Sequence, residues 1–172
     1  MGDTVTVSGT LDSGREAWAR RRWGEAVAKL RAADAATPLA IDDLELLATA
    51  LFLTGVEGES TEAWARAHHA CLAEDDAARA ARCAFWLGFA LDITGTDAPA
   101  AGWYERGRRL IADAGLDCVE QGYVRVPGAM AALMVDEDAA AARAAFVDIV
   151  AVAERHGDAD LAVLGLLGLG HA

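Results

Sequence analysis

Two markers recur along this sequence at a spacing that strongly limits what it can fold into. Small residues fall at Gly14, Ala48, Gly88, Ala129 and Gly165, each in the middle of a segment predicted to be helical, with separations of 34, 40, 41 and 36 residues by subtraction. Large aromatics fall at Trp23, Trp64, Trp103 and Phe146, each near the start of the next helix, with separations of 41, 39 and 43. A period in this window is the signature of stacked helical hairpins. A small residue lets two helices approach closely, and an aromatic from the second helix is expected to fill the wedge beside it. One hairpin cannot bury its apolar face alone, so neighbours stack.

The segments that carry the markers read as helices over Leu11–Arg21, Trp23–Ala36, Pro38–Thr54, Thr61–Glu74, Ala77–Thr94, Pro99–Ala114, Glu120–Val135, Ala139–His156 and Ala159–His171. Residues 1–10 are polar and without period, and are expected to form a flexible tail. Residues 11–172 then make a single domain. Leu44, Leu47 and Leu51 share a face, as do Phe146, Ile149 and Val150. Thr37-Pro38 predicts an N-cap with proline in the first helical position. Thr54-Gly55 and Thr94-Gly95 predict helix ends at a residue that tolerates the left-handed conformation. His156-Gly157-Asp158 ends one helix and offers a capping carboxylate to the next. The acidic runs 74–76 and 136–138 lie between helices and read as caps, not as metal clusters. Pro127-Gly128 interrupts a predicted helix, which must kink there or start at Pro127.

Composition agrees with an all-α chain. Ala makes up roughly a quarter of the 172 residues, with only three Pro, and Ala is the strongest helix former. The net charge of −12 opposes binding to phosphate backbones, and the basic run Arg20–Arg22 is too short a stripe to offset it. Cys71, Cys83 and Cys118 are odd in number with no CxxC, which predicts buried thiols in a reducing compartment. The longest apolar runs, Leu46–Leu53 and Leu161–Leu169, are too short to span a bilayer. A cytoplasmic location is expected.

A family likeness follows from the residues themselves. The segment Gly14-Arg15-Glu16-Ala17 through Trp23-Gly24-Glu25-Ala26-Val27 resembles a tetratricopeptide repeat. Three further stretches resemble the repeat region of large bacterial LuxR-type transcriptional regulators. They are Ala81-Arg82-Cys83-Ala84-Phe85-Trp86-Leu87-Gly88 through Gly102-Trp103-Tyr104-Glu105-Arg106, then Gly157-Asp158-Ala159-Asp160-Leu161, then Gly168-Leu169-Gly170-His171-Ala172. The resemblance implies a right-handed superhelix of stacked antiparallel helix hairpins, a TPR-like α-solenoid. No helix-turn-helix is recognisable, and the sequence reads as truncated after a first helix that lacks its partner. Leu161, Leu164 and Leu167 would then form an uncovered edge through which the chain could dimerise.

No Walker loop, HExxH, nucleophile elbow, dinucleotide fingerprint or EF-hand loop occurs. No cofactor, metal or catalytic set is therefore expected. His68-His69-x-Cys71 does not suit metal binding, because adjacent histidines on a helix diverge; a core-edge His68 and a solvent-facing His69 are expected.

In tetratricopeptide-like stacks the first helices line a concave groove. Carried onto this chain, that groove comprises Asp42, Glu45, Thr49 and Phe52, then Arg82, Phe85, Phe89 and Asp92, then Tyr123, Met130 and Leu133. Aromatics with a few charges suit a binding groove, although Phe85, Phe89 and Tyr123 could equally pack between neighbouring helices. The reading that follows is a non-catalytic interaction or sensor module of a transcriptional regulator, taking a peptide segment or a small-molecule effector and making no direct nucleic-acid contact. A free-standing adaptor is the alternative, and an enzyme with an α-helical pocket using Tyr123, His68 or Asp92 is a weaker one.

Overall fold

Helix follows helix with little between. A computed structural model describes the backbone of residues 2–172 and the side chains of residues 8–172. The described residues form ten helices and no strand: α1 (Gly2–Ala19), α2 (Trp23–Ala36), α3 (Ile41–Leu53), α4 (Glu57–Ala73), α5 (Ala77–Ile93), α6 (Asp97–Ala114), α7 (Glu120–Tyr123), α8 (Val126–Met134), α9 (Ala139–His156) and α10 (Ala159–His171). The protein is all-α. Among the described residues, no helix is long and apolar enough to cross a membrane.

The turns recur with a clear rhythm. Backbone in the left-handed region occurs at Arg21, Gly55, Asp75, Gly95, Gly115, Glu137 and Gly157. From Gly55 onward these are 20, 20, 20, 22 and 20 residues apart by subtraction. Two such steps make the 40-residue spacing of the small and aromatic markers. Glycine adopts this conformation without cost, whereas Arg21, Asp75 and Glu137 hold it against a steric penalty. After three of these turns comes a side-chain cap: the Asp76, Asp138 and Asp158 carboxylates accept the N–H of Arg79, Ala141 and Leu161 at 2.9, 2.9 and 2.8 Å.

Several boundaries differ from those predicted. Thr37 does not cap α3. It ends α2 in an extended conformation, and Asp34 Oδ1 accepts the Leu39 N–H at 3.1 Å, which holds the link against α2 and delays α3 to Ile41. α4 begins at Glu57, not Thr61, because the Val56 N–H bonds the Leu51 carbonyl at 2.9 Å and closes the turn directly after Gly55. α6 begins two residues before Pro99, which is tolerated because first-turn N–H groups have no intrahelical partner. The segment 120–135 is split into α7 and α8, with Pro127 in the first turn of α8, where its missing N–H costs nothing. At the N-terminus, α1 starts at Gly2, so the described part of segment 1–10 lies within this helix.

Apart from α7 and α8, helices adjacent in sequence pack on each other, and α7 also meets α5 and α9. One apolar core is built from α1 to α5 around Leu30, Leu44, Leu51 and Trp64. A second is built from α5 and α7 to α10 around Phe85, Tyr123, Phe146, Ile149 and Leu161. Trp86 packs against both. The close approaches occur where small residues were expected, but with different partners. A Cβ at Gly14 would lie 3.0 Å from Leu30, and one at Gly88 would lie 2.6 Å from the Tyr104 ring, so Tyr104 and not Trp103 fills that wedge. Phe146 covers Gly168, and Leu161 covers Gly122, each closely enough to exclude a methyl group.

Ion pairs connect α1 to α3, α2 to α4, α3 to α5 and α5 to α7. Arg15 of α1 holds Asp43 of α3 through two bonds of 2.7 and 2.8 Å, and Asp43 is only 1% exposed. Arg66 of α4 holds Asp34 of α2 at 2.6 and 2.7 Å. Arg79 of α5 bonds Glu45 at 2.7 Å and also Asp42, both of α3. Arg82 of α5 lies 3.6 Å from Glu120 of α7, whose side chain is buried. Bidentate guanidinium–carboxylate pairs carry orientation as well as energy, so they set the register of neighbouring hairpins.

Glycine substitutions separate packing from helix propensity. Gly168→Ala forces a methyl into the buried Phe146 ring and is expected to cost about 1–3 kcal/mol through overpacking. Gly102 lies in α6 with open space around it, so Gly102→Ala is expected to stabilise by about 0.5–1 kcal/mol. Urea denaturation of both variants measures the difference, and equal effects would contradict the close approach of α9 and α10.

Candidate functional site

Residues 45, 49 and 52 stand one helical turn apart on α3, and residues 82, 86 and 89 repeat the pattern on α5. These two rows face a pocket of about 510 Å³. Its remaining walls come from Trp18 of α1, Trp64 of α4, Tyr123 of α7 and the start of α10. Six of the eleven aromatic side chains of the protein line it: Trp18, Phe52, Trp64, Trp86, Phe89 and Tyr123. Trp64 and Trp86 stack with centroids 6.5 Å apart, Phe89 meets Trp86 edge-on at 5.6 Å, and Phe52 lies 6.1 Å from Phe89. Such rings offer large apolar area at little entropic cost, with faces that attract positive charge. The Trp18 indole N–H is buried without an acceptor.

The polar groups of the pocket are Glu45, Thr49, Arg82, Asp158 and Asp160. Glu45 is held by Arg79, and hydrogen bonds to Glu45 and then Asp42 keep the Arg79 guanidinium firmly protonated. Asp158 caps α10 and also accepts the Tyr123 hydroxyl at 2.9 Å. Burial, then this bond to a carboxylate, pushes the Tyr123 hydroxyl well above its ordinary range. Asp160, in the first turn of α10, makes no hydrogen bond or ion pair to any described residue.

A second and larger groove, of about 1770 Å³, opens between α5–α6 and α8–α10. Phe89 and Leu164 line both spaces. The concave surface expected from the sequence is thus divided. Glu45, Thr49, Phe52, Arg82, Phe89 and Tyr123 border the aromatic pocket. Phe85, Asp92 and Met130 border the larger groove. Asp42 is exposed and paired with Arg79, and Leu133 packs on the second core. Phe85 and Tyr123 are almost wholly buried, so they act as walls. Trp18, Trp64, Trp86 and Asp160 were not among the expected site residues. Trp86 was legible, since it completes the row begun by Arg82 and Phe89.

The C-terminal edge is also divided. Leu161 is fully buried against α7 and cannot belong to an exposed edge, Leu164 is half-buried, and Leu167 is 57% exposed. His68 is buried outright instead of lying at the core edge. Its Nδ1 lies 2.8 Å from the Ala80 carbonyl, Nε2 is buried with no partner, and its ring meets Trp103 edge-on. His69 is exposed. Cys71 and Cys83 are buried and Cys118 is half-buried; burial raises the affinity of each thiol for its proton. No cluster of three or more metal-binding side chains occurs among the described residues.

The sequence matches no family model, and a search of curated proteins finds no match.

Burial lowers the His68 pKa below its ordinary 6.5, opposed in part by the bond to the Ala80 carbonyl. The unfolded chain then binds more protons than the folded one just below pH 6.5. Stability from this group is complete above that pH and declines as pH falls through it. Urea unfolding between about pH 7.5 and 5.5 is expected to lose less stability on acidification in His68→Gln than in the parent. An unchanged slope would contradict the assignment.

Proposed function

We propose that this chain is a non-catalytic binding module: the sensor or protein-interaction region of a transcriptional regulator similar to the large LuxR type, built as a right-handed superhelix of TPR-like helix pairs. The observation that carries the binding reading is the aromatic-lined pocket between α3 and α5. Pockets of about 300–1,000 Å³ with mostly apolar walls and a few polar groups are where small molecules and anchoring side chains bind.

The superhelical reading is supported by the spacing of about 20 residues between left-handed turns and by ion pairs that join α1 to α3, α2 to α4 and α3 to α5. Binding is favoured over catalysis by the state of the nucleophile candidates. Burial, and then the carboxylates of Glu45 and Asp158 that accept from them, hold the Cys83 thiol and the Tyr123 hydroxyl in their protonated forms, the opposite of the lowered pKa that activates a nucleophile. The net charge of −12 opposes contact with duplex DNA by this chain.

Charge reversal at Arg82 is a poor test, since it would set a second carboxylate beside the buried Glu120. Thr49→Trp is cleaner, because the added ring occupies the pocket from a half-buried helical position. In a thermal-shift screen of peptides and small molecules, true ligands are expected to stabilise the parent and to lose at least about tenfold in affinity for the variant, roughly 1.4 kcal/mol. A ligand that stabilises both equally would locate binding elsewhere.

A further inference from the structure

The charges around the aromatic pocket do not cancel. Glu45 is matched by Arg79, and Arg82 by Glu120. Asp158 accepts a hydroxyl and a backbone N–H but is in no ion pair, and Asp160 makes no hydrogen bond or ion pair to any described residue. Two carboxylates are therefore left outside any ion pair at one end of the pocket, and with Glu45 they outnumber Arg82, the one cation among the lining residues. The N-terminus of α10 beside them offsets only about half a unit of charge. The rings that complete the pocket carry no cation either. Among the described residues, the one guanidinium stacked on an indole is Arg106, 4.4 Å from the Trp103 centroid and outside the pocket.

Resting on the binding reading above, we propose that the pocket takes an organic cation with an apolar body, a quaternary or protonated amine, its positive head near Asp160 and its body against Trp86 and Phe89. An ammonium is attracted both by the faces of Trp and Phe rings and by a nearby carboxylate. The ring walls exclude water around the body, and partial desolvation strengthens both attractions at the head. A free anion meets the opposite field: Asp158 and Asp160 repel it, and Arg82, the one lining cation, already has the buried Glu120 carboxylate 3.6 Å away. A neutral ligand gains the apolar contact alone.

Three probes with a common phenethyl body test the charge: phenethyltrimethylammonium, its neutral isostere with carbon in place of nitrogen, and the anion hydrocinnamate. Isothermal titration calorimetry of the parent, Asp160→Asn and Thr49→Trp is read for each. The cation is expected to bind at least about tenfold more tightly than either other probe. Asp160→Asn, at an exposed position, is expected to weaken it about fivefold, and Thr49→Trp to abolish it. Equal binding of the neutral isostere, tighter binding of hydrocinnamate, indifference to Asp160→Asn, or no binding of the cation would each overturn the proposal. The first two, if still blocked by Thr49→Trp, would leave the pocket as the binding surface while removing the charge class.

Discussion

Close approach of helices at residues without a side chain is the constraint on which the rest of the structure depends. So much of the buried interior is alanine, including Ala17, Ala26, Ala48, Ala80, Ala84 and Ala142, that little apolar area is available per residue to drive folding. Dispersion contacts compensate only if backbones lie near one another. Gly14 on Leu30, Gly88 on Tyr104, Gly122 on Leu161 and Gly168 on Phe146 provide that proximity, each admitting one large side chain where a methyl would intrude. The larger residues then form two cores, joined through Trp86.

On this close-packed frame, polar groups determine register. The Asp caps and the left-handed turns are local, whereas the ion pairs from α1 to α3, α2 to α4, α3 to α5 and α5 to α7 join residues distant in sequence. Their common effect is to bring the rows 45–49–52 and 82–86–89 to face one space. The pocket is thus a consequence of the repeat: two successive hairpins present equivalent faces side by side. Its charge comes from the place where the repeat is broken. Pro127 splits the helix that precedes α9, and the shortened α7 leaves Tyr123 bonded to Asp158 at the start of α10.

Features written in local chemistry were legible without coordinates. Gly55, Gly95 and Gly157 end helices as their conformational freedom predicts, and Asp76, Asp138 and Asp158 cap the helices that follow. Glu45, Thr49 and Phe52 fall on one side of the pocket because helical spacing alone places them together. What depends on long-range packing was not legible. Thr37-Pro38 has the composition of a cap, yet Asp34 bonds Leu39 and draws the link the other way. Trp64 belongs to the recurring aromatics and was read as wedge packing, whereas it stacks on Trp86 and reaches the pocket. Asp160 looks like a first-turn acid that complements a helix dipole. Only its position opposite α5 gives it a second meaning.

The tryptophans offer the most direct measurement of the central claim, that the aromatic pocket is the working surface. Trp64 and Trp86 line it, whereas Trp103 packs against His68 outside it. Uniform labelling of the five tryptophans with 5-fluorotryptophan and titration with phenethyltrimethylammonium, followed by fluorine NMR, reads these three sites together with Trp18 and Trp23 in one experiment. The Trp64 and Trp86 resonances should shift in a saturable way while that of Trp103 stays in place. Movement of Trp103 with Trp64 and Trp86 unchanged, or no movement of any of them, would contradict the account.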